Sequence, residues 1–335
     1  MAFHPPDAGT RDFVERTRRA IANPPAGHDP WLLDYFGHLS TEKGMNTYLR
    51  ATAQMLELAG DVKGKDVLDA GSGFGTLSHL LASWGARKLY SVEVHKPMVD
   101  THRLIREQYF PNLADVVQQV HGDVSTELLP PRSVDLIISI EAVSHYYDVP
   151  AFLDQCARVL RPGGRLFISD GNNGANPRIR RETIELWRRL ELGPHGPCMT
   201  HRIDETMLER RERFVGERAP QIDAATRTRI AAGTSGTGPA EMEAAIQRYL
   251  ADGTIPDSQY VPGTCPREPY WGYWIEWMFD PRGLAMELVN RGFDAKPVPH
   301  YGGANNDVFL AVNRVLRTIP SFRFARAYRV VATRH

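Results

Sequence analysis

Three closely spaced glycines and two carboxylates form a pattern that suits the binding of a ribose-bearing cofactor. Gly71, Gly73 and Gly75 directly follow an apolar run that contains Asp69. A later apolar run ends near Glu93. A glycine turn between a strand and a helix lets a ligand approach the backbone closely, and an acid that closes the next strand can accept hydrogen bonds from ribose hydroxyls. The pattern therefore predicts a cofactor site at the carboxyl ends of two neighbouring strands.

The register of the glycines distinguishes between two kinds of cofactor. The dinucleotide fingerprint G-x-G-x-x-G would need its third glycine at position 76, but Thr76 stands there and the third glycine is Gly75. A pyrophosphate needs close backbone approach at a helix N-terminus, whereas a cofactor without phosphate needs only a tight turn. The register therefore disfavours an NAD-linked oxidoreductase, which stays the alternative among enzymes. A strand–turn–helix unit without any ligand is the structural alternative.

With the preceding Asp69, the G-x-G-x-G turn resembles the first motif of class I S-adenosylmethionine-dependent methyltransferases. The segment L-R-P-G-G at residues 160–164, followed by a strand that ends in Asp170, strengthens a resemblance that covers about residues 62–175. The resemblance implies S-adenosyl-L-methionine as cofactor and an α/β fold with a Rossmann-like, doubly wound, mostly parallel sheet flanked by helices. It implies cofactor contacts for Asp69, Gly71, Ser72, Gly73, Gly75, Glu93, Val94, Asp123, Val124 and Glu141.

Asp123 follows the third predicted strand, where an acid of the resembled family faces the adenine amine. An Asp directly after a glycine is also a common turn former. Both interpretations of Asp123 stay open.

His145 and Asp170 are the candidate catalytic pair. Methyl transfer from a sulfonium is an in-line displacement, and a base is needed where the attacking group carries a proton. The two residues follow the fourth and fifth predicted strands, whose ends are neighbours in the implied fold, so a carboxylate could orient the imidazole. Similar small-molecule methyltransferases carry E-x-x-H-H after strand four, but Ser144 replaces the first of those histidines here. The alternatives are a loop-packing or cofactor-shelf histidine and an aspartate that caps a turn.

The apolar runs and the resemblance divide the chain into four segments. Residues 1–60 are predicted to form an N-terminal helical cap over the cofactor site, or a cover for the sheet edge. Residues 61–175 form the cofactor-binding core, residues 176–278 a mainly helical insertion that acts as an acceptor lid, and residues 279–335 the completion of the core. Further expected elements are helices over 149–161, 178–192, 203–215, 239–251 and 308–316, and strands over 116–120, 134–140, 165–169, 295–301 and 327–332.

Aromatic residues near the end of the insertion are candidates for binding the acceptor. The spacing of positions 270, 274 and 277 fits one face of a helix, which predicts a second small core, with an acceptor-pocket wall as the alternative. Such a wall would suit a sugar ring, an aromatic acceptor or a cation. The candidate substrate-binding residues are Tyr146, Trp271, Trp274, His300 and Tyr301.

Composition limits the partners and the compartment. Apolar residues make up 42% and charged residues 24% of the 335-residue chain, as in an ordinary globular protein. Lys+Arg and Asp+Glu both number 40, so no basic footprint for nucleic acid is expected. Three scattered cysteines, Cys156, Cys198 and Cys265, indicate neither a disulfide framework nor a metal site. Without a signal peptide or a long apolar run, the expected location is cytoplasmic, with no membrane partner. Whether the chain forms a homodimer stays open.

The sequence therefore predicts a methyltransferase that acts on a small-molecule acceptor, with a hydroxyl oxygen as the first choice of methylated atom. Transfer to nitrogen or carbon on the same fold is the alternative within this class. A non-catalytic member that binds cofactor or a partner is the alternative from another class.

Overall fold

A computed structural model describes residues 7–199, 201–257, 260–302, 307–316, 318–319 and 321–335. The chain divides into two compact units. The core unit comprises Met1–Val143, Asp148–Gly171 and Asp280–His335, and the insertion unit comprises Ser144–Tyr147 and Asn172–Phe279. The chain thus leaves the core unit twice, once for four residues and once for the long insertion.

The described residues contain nine strands and twelve α-helices. The strands are β1 (Asp66–Ala70), β2 (Lys88–Glu93), β3 (Val117–His121), β4 (Val134–Ile140), β5 (Leu160–Asp170), β6 (Gly196–Cys198), β7 (His201–Ile203), β8 (Phe293–His300) and β9 (Ala327–Arg334). The helices are α1 (Asp7–Ala22), α2 (Trp31–Phe36), α3 (Glu42–Ala59), α4 (Thr76–Ser83), α5 (Lys96–Tyr109), α6 (Val149–Val159), α7 (Pro177–Leu192), α8 (Met207–Arg218), α9 (Ala224–Gly233), α10 (Pro239–Asp252), α11 (Pro281–Asn290) and α12 (Asp307–Leu316).

The core unit is built on a seven-stranded sheet with the order β3-β2-β1-β4-β5-β9-β8. The first five strands of this order pair in parallel, and β9 runs antiparallel to both of its neighbours. β1 is buried along its whole length, as expected of a central strand with helices on both faces. The strand order reverses between β1 and β4, and ligands of such folds bind at the carboxyl ends beside this switch point. The predicted α/β, doubly wound fold is confirmed.

Most predicted strand bounds lie within two residues of the observed ones, but β5 begins five residues earlier than the predicted strand over 165–169. The reason is that Leu160 pairs with Val134 of β4, and the register then shifts before Leu136 pairs with Arg165. The glycine-containing segment in between is part of an irregular ladder and not a separate turn.

The first helix, α1, begins the segment predicted as an N-terminal helical cap. It has 16 residues, and Phe13 is fully buried. The Trp84 indole Nε1 donates a hydrogen bond of 3.0 Å to Thr10 Oγ1, and Arg16 donates one of 2.7 Å to the carbonyl of Tyr109. These contacts pack α1 against the helices that follow β1 and β2.

The insertion unit has its own apolar core, which includes Phe214, Val215, Ile230, Met242 and Ile246. Helix α9 and the β6–β7 hairpin lie in this unit and were not predicted. In α9 the run Ala-Ala-Thr-Arg-Thr-Arg-Ile-Ala-Ala-Gly offers only one large apolar side chain, so its helical periodicity is weak.

The aromatic segment of the insertion unit forms no helix, so the helical interpretation of positions 270–277 was wrong. Arg267 and Trp274 form an antiparallel bridge instead, and the Glu268 amide donates to the Tyr273 carbonyl at 2.9 Å. Gly272 supplies a left-handed residue with φ of 81° for the return of the chain. The buried Glu268 carboxylate accepts hydrogen bonds from the amides of Tyr270 and Trp271. A local side-chain cap therefore overrides the helical spacing.

Within the described residues, no helix combines the length and the apolar character that crossing a bilayer would require.

Candidate active site

The turn after β1 is shaped by three glycines in the left-handed region. The φ angles of Gly71, Gly73 and Gly75 are 73°, 53° and 73°. The amides of Gly71 and Ser72 both donate to the carbonyl of Val92, at 3.0 Å each, and these two hydrogen bonds attach the turn to β2. Side chains with a Cβ rarely adopt such φ values, which explains why glycines occupy these three positions.

Glu93, near the end of β2, organises the backbone around this turn. One of its oxygens, Oε2, accepts a hydrogen bond of 2.9 Å from the amide of Gly73. The other, Oε1, accepts hydrogen bonds of 2.9 Å from the amides of Val94 and His95. A carboxylate has about four lone-pair positions, so one acceptor position on Oε2 remains for a ligand.

Two further features of the turn favour a ligand with polar groups. Ser72 Oγ is buried and has no hydrogen-bond partner among the described residues. A Cβ added to Gly73 would meet no atom of the described residues within 4 Å, so these residues leave open space beside the turn. A buried hydroxyl without a partner costs free energy unless a ligand or water satisfies it.

Helix α2 lies beside the turn. The Trp31 ring stacks on His95 with a centroid distance of 5.8 Å, and the Tyr35 ring meets the edge of Phe74 at 6.4 Å. Both α2 side chains are exposed, 44% for Trp31 and 59% for Tyr35. These contacts favour the interpretation of the N-terminal helices as a cap over the cofactor site.

Asp69 lies beneath the turn, in a buried hydrogen-bonded chain. It is only 3% exposed, and its Oδ2 accepts a hydrogen bond of 2.6 Å from the Ser78 hydroxyl of α4. Burial raises the pKa of Asp69 from 3.8 to about 7, with a smaller increase from the charge of Glu93 and an opposing effect of Ser78. The predicted cofactor contact of Asp69 stays a prediction, and in the structure the carboxylate holds α4 against β1.

Asp69→Asn should change how stability depends on pH. The folded chain retains the Asp69 proton up to about pH 7 while the unfolded chain loses it near 3.8, so the contribution of this group to stability falls as the pH rises between these values. We expect the wild type to lose on the order of 1–4 kcal/mol of unfolding free energy relative to the variant across this window. Urea denaturation at about pH 5 and about pH 8 measures it. If the free energies of unfolding of the wild type and the variant differed by the same amount at both pH values, the raised pKa of Asp69 would be contradicted.

Asp123 and Val124, the predicted cofactor contacts after β3, both have contacts within the protein. Asp123 Oδ1 accepts a hydrogen bond of 2.8 Å from the amide of Ser125, as the turn-forming interpretation predicts. Its other oxygen has no protein partner among the described residues. Val124 is half-buried and lines a small apolar cavity that also includes Leu68 and Val92.

Three polar side chains meet at the carboxyl ends of β4 and β5. Glu141 has a left-handed φ of 48°, and its Oε2 accepts a hydrogen bond of 3.1 Å from the amide of Gly171. Asp170 is buried and lies opposite Tyr328 in the register of β5 and β9. The Tyr328 hydroxyl is buried without a hydrogen-bond partner in the described structure. Burial, and then the charges of Asp170 and Glu141, raise the pKa of Tyr328 well above its ordinary value.

His145 belongs to the insertion unit, and a main-chain carbonyl orients it. Its Nδ1 lies 2.9 Å from the Trp274 carbonyl oxygen. A carbonyl only accepts hydrogen bonds, so Nδ1 carries a proton, and in the neutral form of the ring the lone pair lies on Nε2. The structure therefore supplies an orienting group that the sequence did not indicate. The pairing of His145 with Asp170, which belongs to the core unit, stays a prediction.

The aromatic candidates of the insertion unit form a partly exposed group. The Trp274 ring lies 4.7 Å from that of Trp277, and the Arg267 guanidinium lies 4.9 Å above Trp274. Trp271 is 49% exposed, whereas Tyr146 is buried. All residues over 273–279 are partly exposed, which is typical of a surface that a ligand can reach and not of a closed core.

The two candidates at the end of β8 differ in how they are held. His300 is partly buried. The Tyr301 hydroxyl donates to the carbonyl of Ser321 at 3.0 Å, and its amide donates to Asn313 Oδ1 at 2.9 Å. Tyr301 therefore connects the end of β8 to the segment around α12. An acceptor-binding role for His300 or Tyr301 stays a prediction.

Sequence reasoning missed four polar residues of the core unit. Tyr328 could have been found by pairing the last strand antiparallel to the strand that ends in Asp170. Ser78 and the two residues that continue its buried chain of contacts, Ser91 and His102, could not be found from sequence patterns. Each is an ordinary residue type whose partner comes from another element of the fold.

Comparison with known proteins places this site within a family. Residues 68–168 match the family model described as a methyltransferase domain. An S-adenosylmethionine-dependent methyltransferase of Mycolicibacterium smegmatis is 35% identical over 115 residues, which are 34% of this chain and 41% of that protein. The ubiquinone biosynthesis O-methyltransferase of Neisseria meningitidis is 30% identical over 118 residues, 35% of this chain and 48% of that protein. The chain thus spans less than half the length of these curated relatives.

Two solved structures are similar over a larger share of the chain. An S-adenosylmethionine-dependent methyltransferase from Mesorhizobium loti has a TM-score of 0.45 and 16% identity, covering 85% of this chain and 98% of its own. One from Listeria monocytogenes has a TM-score of 0.46 and 13% identity, covering 86% and 99%.

Residues 68–168 therefore belong to a methyltransferase domain, and the curated relatives and the strand order agree with the class I S-adenosylmethionine-dependent type. The predictions of family and of S-adenosyl-L-methionine as cofactor are confirmed. The glycine turn, the remaining acceptor position of Glu93 and the unpartnered Ser72 hydroxyl all fit this cofactor.

Proposed function

We propose that the chain catalyses transfer of a methyl group from S-adenosylmethionine to a hydroxyl oxygen of a small-molecule acceptor. The observation that carries the proposal is the orientation of His145, whose Nδ1 is held by the Trp274 carbonyl so that Nε2 can accept a proton. A base is needed for a hydroxyl acceptor, because the attacking oxygen must lose its proton during transfer.

The core unit provides the cofactor half of the reaction. Bound S-adenosylmethionine supplies an activated methyl group on its sulfonium. Glu93 would accept a hydrogen bond from the ribose at its remaining acceptor position, Ser72 would donate one to the cofactor, and the open position above Gly73 would let the cofactor approach the turn backbone. Holding both reactants in place can contribute on the order of 7–11 kcal/mol to lowering the barrier.

The insertion unit provides the acceptor half in this proposal. Trp274 and Trp277 offer flat apolar surfaces, and Arg267 beside Trp274 suits an acceptor that carries a negative charge. An aromatic hydroxyl compound with an acidic group matches these side chains. The Neisseria relative is an O-methyltransferase, which also supports oxygen as the methylated atom. That no nucleic acid or membrane takes part, and that a homodimer could form, stay predictions.

The test is a turnover assay with purified protein, labelled S-adenosylmethionine and a panel of acceptors. The panel contains phenols with and without a carboxylate, sugars, and matched anilines. We expect S-adenosylhomocysteine to form only with a hydroxyl acceptor, fastest with the carboxylated phenol, and mass spectrometry to place the methyl group on oxygen. Methylation of the anilines alone would overturn the choice of oxygen.

The same experiment separates the enzyme from a non-catalytic protein. A chain that binds S-adenosylhomocysteine, but transfers no methyl group to any member of the panel, would favour a cofactor-binding protein without turnover. A chain that binds no S-adenosylhomocysteine would contradict the proposal as a whole.

A further inference from the structure

A buried chain of polar side chains runs beneath the glycine turn. It links β1, α4, β2 and α5, the four elements that surround the cofactor turn, and each element contributes one residue. Ser78 Oγ lies 2.6 Å from Asp69 Oδ2 and 2.9 Å from Ser91 Oγ, and Ser91 Oγ lies 3.4 Å from His102 Nδ1. All four residues are at most 3% exposed.

The protons of this chain can be placed from its chemistry. A serine hydroxyl has a single proton, and above the raised pKa of Asp69 the Ser78 hydroxyl donates that proton to the Asp69 carboxylate over the shortest contact. Ser91 then donates to Ser78, and His102 donates its Nδ1 proton to Ser91. The neutral ring leaves Nε2 without a proton, and that atom has no partner among the described residues. Burial lowers the pKa of His102 well below its ordinary value, which agrees with a neutral ring.

The free edge of the His102 ring lies against the glycine turn. A Cβ on Gly75 would lie 2.1 Å from His102 Nε2 and 2.2 Å from Cε1, so the ring occupies the space beside Gly75 that a side chain would take. Gly75 is the last left-handed residue of the turn and the N-cap of α4. The Nδ1 contact with Ser91, at 3.4 Å, restrains the ring, and the ring in turn fills the space beside Gly75.

We propose that His102 is a positioning residue for the cofactor, which holds Gly75 and the turn in the conformation that S-adenosylmethionine binds. The proposal rests on the proposed function, because cofactor affinity is its readout. His102 does not touch the cofactor in this account. It acts through Gly75, and the Asp69–Ser78–Ser91 chain keeps its ring in place.

The first test is S-adenosylhomocysteine affinity of His102→Ala, measured by calorimetry at a temperature where the variants are folded. The matched control is Ile105→Ala, which removes a buried side chain from the same helix one turn further on and leaves Gly75 untouched. We expect the dissociation constant to rise about tenfold for His102→Ala, or about 1.4 kcal/mol, and less than about twofold for Ile105→Ala. Equal changes in the two variants, or no change in His102→Ala, would overturn the proposal.

A double variant tests the contact with Gly75 itself. Gly75→Ala places a methyl group where the His102 ring lies, so removal of the ring should relieve the overlap. We expect Gly75→Ala with His102→Ala to bind S-adenosylhomocysteine at least as tightly as Gly75→Ala alone. If the two substitutions acted independently, the double variant would bind S-adenosylhomocysteine about tenfold more weakly than Gly75→Ala alone. That result would contradict the contact between His102 and Gly75.

These results are separable from a failure of the proposed function. If the wild-type chain binds no S-adenosylhomocysteine, the cofactor proposal fails. If the wild type binds and His102→Ala binds equally well, only the role of His102 fails.

Discussion

Glu93→Ala should abolish most of the affinity for S-adenosylhomocysteine. The Glu93 carboxylate holds the amides of Gly73, Val94 and His95 and keeps one acceptor position for the ribose. Hydrogen bonds to a charged group contribute about 1.5–3 kcal/mol each, and the variant loses both the ligand contact and the order of the turn. We expect the dissociation constant, measured by calorimetry, to rise at least about 100-fold, since each 1.4 kcal/mol is a factor of about ten.

Two further variants make this prediction specific. Glu93→Gln keeps the size of the side chain and one accepting oxygen, so we expect a smaller rise of about tenfold. Glu107→Ala removes an exposed carboxylate from α5, and its affinity should equal that of the wild type. A folded Glu93→Ala variant that binds within about threefold of the wild type would contradict the role of Glu93.

His145→Ala should lower turnover while leaving cofactor affinity unchanged. The variant removes the Nε2 lone pair that the Trp274 carbonyl orients, and a positioned base contributes typically about 10²–10⁴-fold to the rate. We expect kcat to fall within this range in the acceptor assay and S-adenosylhomocysteine affinity to change less than about twofold. This division between rate and binding distinguishes a base from a residue that supports the cofactor.

The control for His145 lies in the same unit. His195 is an exposed histidine whose Nε2 lies 2.8 Å from Glu209 Oε2, and His195→Ala should retain wild-type turnover. If His145→Ala also retained wild-type turnover, the histidine would be a packing residue of its loop. The proposed mechanism would then need another base.

The parts of the fold that the sequence predicts are those whose signal is local. The mainly apolar run over 134–140 has the same bounds as β4, because a central parallel strand is buried on both faces and needs apolar residues at most of its positions. The glycine turn is equally local, since three nearby residues must each adopt a positive φ. Long-range pairing explains the early start of β5, which is fixed by Val134, 26 residues before Leu160.

The parts of the site that the sequence does not predict depend on partners from other elements. Asp69 is recognisable in the sequence because it precedes the glycine motif. Its position beneath the turn, however, involves a hydrogen bond from Ser78 in α4. The orientation of His145 depends on a carbonyl 129 residues further along the chain. The aromatic segment follows a helical spacing, yet Glu268 and Gly272 turn it back on itself. In each case a side chain or backbone group brought in by the tertiary fold decides the local structure.

The most direct measurement of the central claim is a crystal structure of the chain with S-adenosylhomocysteine bound. We expect the ribose hydroxyls within hydrogen-bond distance of the Glu93 carboxylate, and the rest of the cofactor against the turn at Gly71–Gly75. A cofactor bound elsewhere, or a ribose that Glu93 does not contact, would show that this turn and Glu93 do not form the cofactor site.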